Sequence, residues 1–64
     1  MIFGENLKRL REQASMTQFD LEIAADLPLG VLSQYENSHR EPRIENLRKL
    51  KNALDCTWQD LLTD

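Results

Sequence analysis

A chain of 64 residues holds one domain, with a small core and a stability on the order of a few kcal/mol, which excludes a two-domain arrangement, and 41% hydrophobic with 30% charged residues suits a compact fold better than a disordered tail. One cysteine, Cys56, and one histidine, His39, exclude an internal disulfide and a Cys/His metal set, and no apolar run approaches the roughly 18 residues of a membrane span. A net charge of −3 argues mildly against nucleic acid as a partner, because phosphate binding is driven by cations.

Phe3, Leu7, Leu10 and Ala14 recur at helical spacing, with Lys8, Arg9 and Glu12 on the other face, so a first amphipathic helix is predicted from Phe3 to Ala14. Met1-Ile2-Phe3-Gly4-Glu5 runs straight into that pattern without a basic stretch and apolar core of the secretory kind, so a reducing cytoplasm is the expected compartment. Ser15 and Met16 break the helix. Thr17 then stands as an N-cap with Asp20 completing an approximate capping box, and a second helix is expected from about Gln18 to Ala25.

Asp26-Leu27-Pro28 reads as a turn, with Pro28 placed at the start of a third helix, where its missing N–H costs nothing; this helix is expected over Leu29 to about Glu36. Asn37-Ser38-His39-Arg40-Glu41-Pro42 is a polar loop. Ile44, Leu47, Leu50, Ala53 and Leu54 follow at spacings of three and four and define a fourth helix, which ends at Asp55-Cys56. Thr57 and Asp60 offer a second Thr/acid cap ahead of Leu61-Leu62, and a fifth helical turn closes the chain. No strand alternation, internal repeat or low-complexity segment is present.

Three strings carry a more specific signal: Thr17-Gln18-x-x-Leu21, Leu32-Ser33-Gln34-Tyr35-Glu36-Asn37, and Arg40-x-Pro42. Together they resemble the Cro and repressor (XRE-type) helix-turn-helix family over essentially the whole chain, without a gap. The resemblance implies an all-α fold of five helices in a single domain over 1–64, with helices two and three as the DNA-reading motif of a small, repressor-like transcriptional regulator. Where the family often has small or Gly residues, this chain has Ser15, Glu22, Asp26 and Ser38. A left-handed backbone at a non-Gly residue costs about 1 to 2 kcal/mol, and less for Asp.

By that resemblance Leu29, Gly30 and Val31 lie near the start of the recognition helix as base-facing positions, with Ser33 and Gln34 one turn later. Gln34 is the side chain there able to pair bidentately, typically with adenine, whereas Leu29 and Val31 would meet thymine methyl groups. Ordinary core packing remains open for Leu29 and Val31. Thr17 and Gln18, at a helix start, and Asn37, Ser38, His39, Arg40 and Arg43, in or just after the following loop, are the expected phosphate contacts. Arg11 and Glu36 are implied to be a structural ion pair between the first and third helices.

The second helix carries two apolar faces, one of Leu21, Ala24 and Ala25 and one of Phe19, Ile23 and Leu27. Glu22 falls where a small buried residue is usual, so either the helix is rotated or Glu22 reaches solvent or a cation. A rotated helix that uses both faces for its own core is the preferred expectation; a protein-contact patch at Phe19 and Ile23 is the other. Trp58, Leu61 and Leu62 are the candidate contacts of a homodimer on two half-sites. No cofactor, metal or catalytic constellation is expected, since neither Cys56 nor the carboxylates sit in a motif that selects a reactive pair. The alternative function is protein binding by the same fold, as an antitoxin-like or partner-controlled regulator.

Overall fold

The computed structural model describes residues 3–63, so Met1 and Ile2, at the head of the first apolar pattern, and the terminal Asp64 lie outside the described residues. Five helices follow in order: α1 (Phe3–Gln13), α2 (Gln18–Ala24), α3 (Val31–Glu36), α4 (Ile44–Leu54) and α5 (Trp58–Leu62). The described residues contain no strand, and none of their helices is long and apolar enough to cross a membrane.

One core joins them. Phe3 and Leu7 of α1, Leu21 of α2, Val31, Leu32 and Tyr35 of α3, Leu50 of α4 and Leu61 of α5 are buried together with Ala25 and Leu27. The helices are short, so their ends account for much of the backbone polarity that must be satisfied. At α2 and α5 this is done by two reciprocal capping boxes. Thr17 Oγ1 accepts from the Asp20 amide at 3.0 Å while the Thr17 amide donates to Asp20 Oδ2 at 2.9 Å, and Thr57 and Asp60 repeat the pattern at 3.0 Å in both directions. The amides of Thr17 and Thr57 hold the Asp20 and Asp60 carboxyls below the ordinary aspartate value.

Left-handed residues turn the chain between helices: Ser15 (φ 58°), Asp26 (φ 54°), Ser38 (φ 59°) and Asp55 (φ 51°). Asn6, buried inside α1, ties down the end of the chain by donating from Nδ2 to the carbonyls of Leu61 (3.1 Å) and Thr63 (2.7 Å). Lys49 Nζ reaches the Asp26 carbonyl at 3.3 Å, linking α4 to the turn after α2.

Two expectations need correction here. The third helix begins at Val31, not Leu29: Pro28 precedes a turn closed by Val31 N–H to the Pro28 carbonyl (3.4 Å), and Gly30 is the N-cap with φ 90°. That backbone conformation is open to glycine and strained for other residues, so the local preference of proline for a first helical position is overridden. Ile44, counted in the apolar pattern of the fourth helix, is exposed at its first turn, because the buried stripe of α4 is carried by Leu47, Leu50, Ala53 and Leu54.

Candidate nucleic-acid interface

The two faces of α3 have opposite characters. Val31, Leu32 and Tyr35 are buried, with the Tyr35 hydroxyl accepting from Asn46 Nδ2 at 3.0 Å. Gly30, Gln34 and Asn37 are exposed and Ser33 is half-buried. Positions 30, 33, 34 and 37 stand at i, i+3, i+4 and i+7, so they line one outward strip. Ser33 Oγ accepts from Asn37 Nδ2 at 3.3 Å, and the Gln34 side chain projects into solvent. Leu29, 67% exposed, extends the strip beyond the helix start.

Val31 does not belong to it. The residue is 6% exposed and lies in the core, because it stands at i, i+4 with the buried Tyr35 on the inward face of the helix. Of the five positions expected to face bases, Leu29, Gly30 and Gln34 are exposed and Ser33 is half-buried, so Val31 alone drops out of the set.

Exposed polar groups flank the strip at both ends. Before α2 stands Thr17, whose hydroxyl is engaged in its own cap, and beside it Gln18 turns its amide inward, donating from Nε2 to Glu36 Oε1 at 3.1 Å. After α3, the loop of Asn37, Ser38, His39 and Arg40 is exposed, as is Arg43, which is the N-cap of α4 and makes no side-chain cap bond. The left-handed Ser38 and the bond from His39 N–H to the Gln34 carbonyl (2.9 Å) fold this loop back on the end of α3. Arg40 ends this loop and Arg43 follows it, both exposed.

Behind the strip, Arg11 and Glu36 form a bidentate pair, Nε to Oε2 at 2.6 Å and Nη2 to Oε1 at 3.0 Å, with Arg11 Nη1 donating also to the Met16 carbonyl at 2.8 Å. The hydrogen bond to Glu36 holds the Arg11 guanidinium above its ordinary value, against burial, which acts the other way. Gly4 makes the approach of α1 possible: a Cβ there would sit 2.6 Å from the Glu36 carbonyl oxygen and 2.7 Å from that of Tyr35.

The expectation for α2 is overturned. Phe19 and Ile23 are 57% and 61% exposed, so the helix does not use both faces for its core; it buries Leu21 and Glu22, and Ala25 and Leu27 follow beyond its end. Glu22 meets neither solvent nor a cation. It is 4% exposed, and Oε2 accepts from the amides of Gly30 (2.9 Å) and Leu32 (3.0 Å). Sequence reading missed this partner, although a carboxylate on an apolar face, followed by a helix start without a capping side chain, was its signal. At the C-terminus, Leu61 is fully buried and is withdrawn from the contact residues, whereas Leu62 and Trp58 retain exposed surface and Lys51 Nζ lies 5.6 Å from the Trp58 ring centroid. Burial pushes the Cys56 thiol up, with Asp60 adding to the shift. The described residues contain no group of three or more His, Cys, Asp or Glu side chains placed to hold a metal ion.

Two short helices, α2 and α3, joined by a turn, the second with one face on the core and the other on solvent, are the arrangement of a helix-turn-helix. The chain belongs to the helix-turn-helix family, whose sequence model matches residues 7–61. It is 33% identical over 61 residues to an uncharacterized HTH-type transcriptional regulator, YqaE, of Bacillus subtilis, covering 95% of this chain and 53% of that protein. The HTH-type transcriptional regulator ImmR of the same organism is 32% identical over 97% of this chain and 49% of its own length. The control protein C.MunI of a Mycoplasma species is 33% identical over 97% of this chain and 85% of its own. The chain thus spans about half the length of the two Bacillus relatives. No solved structure matches it.

Proposed function

We propose that this domain is a small transcriptional regulator that reads double-stranded DNA with α3 in the major groove. The observation that carries the reading is the strip of Gly30, Ser33, Gln34 and Asn37, which faces solvent from a helix whose opposite face is core. Gln34 supplies the bidentate base contact, Ser33 a second polar one, and Leu29 an apolar contact to thymine methyl groups. The Thr17 hydroxyl, which only accepts in its cap, and the backbone N–H of Gln18 meet the DNA backbone on one side; Asn37, Ser38, His39, Arg40 and Arg43 meet it on the other, where the two arginines bring positive charge to a chain of net charge −3. The regulators and the control protein among its relatives support the same role. A single motif reads few base pairs, so two copies on half-sites about one helical turn apart complete the site, with Trp58 and Leu62 as contacts.

Selection from a random duplex library, followed by salt titration on the selected sequence, tests this. The expected result is an enriched motif whose preference relaxes at one or two base pairs in Gln34→Ala, by about 1 to 3 kcal/mol of discrimination, and a salt slope that falls by about one unit in Arg40→Ala or Arg43→Ala. No enrichment, with salt slopes unchanged in both arginine variants, removes the reading. A second reading rests on Phe19 and Ile23, two large apolar side chains exposed beside Asp20 on α2: the same fold binding a protein partner, whose capture would be lost in Phe19→Ser with Ile23→Ser while DNA selection persists.

A further inference from the structure

The first turn of α3 contains no residue able to cap it. Capping side chains act from an extended backbone, as at Thr17 (φ −78°, ψ 168°) and Thr57 (φ −92°, ψ 163°). Gly30 sits instead at φ 90°, and nothing lies within 4 Å of where its Cβ would be, so backbone conformation rather than space requires glycine there. Three amides at that start nevertheless have acceptors: Val31 donates to the Pro28 carbonyl at 3.4 Å, and Gly30 and Leu32 both donate to one oxygen of Glu22.

We infer that Glu22 is a positioning residue for DNA reading, its carboxylate reaching across the turn from α2 to act as the N-cap of α3 and so fixing the first turn of the recognition helix. The inference rests on the reading of α3 as the DNA-reading helix. Burial of the carboxylate excludes water as a competing donor, and its negative charge lies at the positive end of the helix. Supplying the cap from inside has a geometric consequence: the outer surface at the helix start is left without a polar side chain. Leu29 and Gly30 then present only apolar and backbone surface, and polar readout shifts to Ser33 and Gln34.

The test uses the full chain with Glu22→Gln and Glu22→Leu. Each variant is measured by circular dichroism, by NMR exchange of the Gly30 and Leu32 amides, and by affinity for the duplex that the wild type selects against a mixed-sequence duplex. The glutamine oxygen can accept both N–H groups, so Glu22→Gln is expected to keep slow exchange and a discrimination ratio within about threefold of wild type. Glu22→Leu lacks an acceptor; faster exchange at Gly30 and Leu32 and a loss of about tenfold in affinity for the selected duplex are expected, with mixed-sequence affinity almost unchanged. A folded Glu22→Leu variant with wild-type discrimination and wild-type exchange overturns the inference. Should Glu22→Leu fail to fold, Glu22→Gln decides: discrimination lost while exchange stays slow would mean that the carboxylate acts by charge and not as a cap. If the wild type itself does not discriminate, the DNA reading and the positioning role fall together, whereas amide exchange in the variants still reports whether Glu22 caps α3.

Discussion

Arg11→Ala removes the tie at the other end of α3, and the structure sets its cost. The substitution deletes two charged hydrogen bonds to Glu36 and one to the Met16 carbonyl. It leaves a carboxylate whose side chain is 4% exposed with the Gln18 amide as its remaining side-chain donor. Stranding one partner of such a pair costs about 3 to 5 kcal/mol. A 64-residue domain has roughly 3 to 10 kcal/mol in total, at about 0.05 to 0.15 kcal/mol per residue. Arg11→Ala is therefore expected to leave the domain marginally folded in urea titrations followed by far-UV circular dichroism. Arg11→Lys keeps the charge but not the planar fork and should fall between the two. The decisive comparison is Arg11→Met with Glu36→Leu, which removes both charges and should recover most of the loss, since an apolar replacement of a buried pair is often neutral or stabilising. The reasoning is refuted if Arg11→Ala costs less than about 1 kcal/mol, the scale of an exposed pair, or if the double variant is as unstable as the single one.

Four further outcomes are expected. Gly4→Ala pushes a methyl group into the Tyr35 and Glu36 carbonyls and should lower stability by about 1 to 3 kcal/mol, as overpacking does; an unchanged urea midpoint would mean that α1 and α3 separate freely. Phe19→Ser with Ile23→Ser should leave the thermal midpoint nearly intact, each change being worth less than about 0.5 kcal/mol at an exposed site, and a collapse of helical signal would contradict the exposure of both side chains. Ser38→Gly relieves a left-handed serine at φ 59° and should stabilise by about 0.5 to 1 kcal/mol after the added chain entropy of glycine; a lower melting temperature would show that Ser38 is not strained. Asp20 and Asp60 have folded values below the unfolded one, so their stabilisation is complete above about pH 5 and disappears as pH falls past about 4 through the depressed folded values. Melting curves of Asp20→Asn with Asp60→Asn should accordingly depend less on pH in that acid range than those of the wild type, and parallel curves would count against the caps.

The helices were legible wherever a local rule governs them. Leu7, Leu21 and Leu50 fall on buried stripes because burial follows helical period, and the Thr17–Asp20 and Thr57–Asp60 boxes are written at a fixed spacing. What was not legible depends on contacts across the fold. The start of α3 could not be placed from Pro28, because the left-handed Gly30 and a carboxylate eight residues upstream decide it. Phe19 and Ile23 looked like core because their spacing is helical, and periodicity alone does not say which of two apolar faces meets a neighbour. The Arg11–Glu36 pair spans 25 residues and came from resemblance, no spacing rule reaching so far. For the site, periodicity separates Gln34 and Ser33 from Leu32 and Tyr35, whereas Val31 enters the base-facing set by resemblance with core packing left open, and its burial decides for the core.

Alone, α3 would not be a helix. Six residues cannot repay the cost of nucleation, and isolated helices shorter than about 12 to 15 residues are marginal in water. Its conformation is imposed from three sides: Glu22 on its first amides, Arg11 on Glu36 at its last turn, and the backbone of α1 against its last carbonyls at Gly4. Apart from the Gly30 amide, which donates to Glu22, none of these ties uses the outward strip. Ser33, Gln34 and Asn37 are joined to the fold only through the backbone and the weak Asn37–Ser33 bond, so their side chains can change without disturbing the groups that hold the helix. On the proposed reading of α3, stability and readout are in this way carried by different residues of the same two turns. Replacing Gln34 should shift stability by no more than about 0.5 kcal/mol, while loss of the Glu22 acceptor, of the Glu36 carboxylate or of the bare Cα at Gly4 would alter the placement of every side chain of the strip at once.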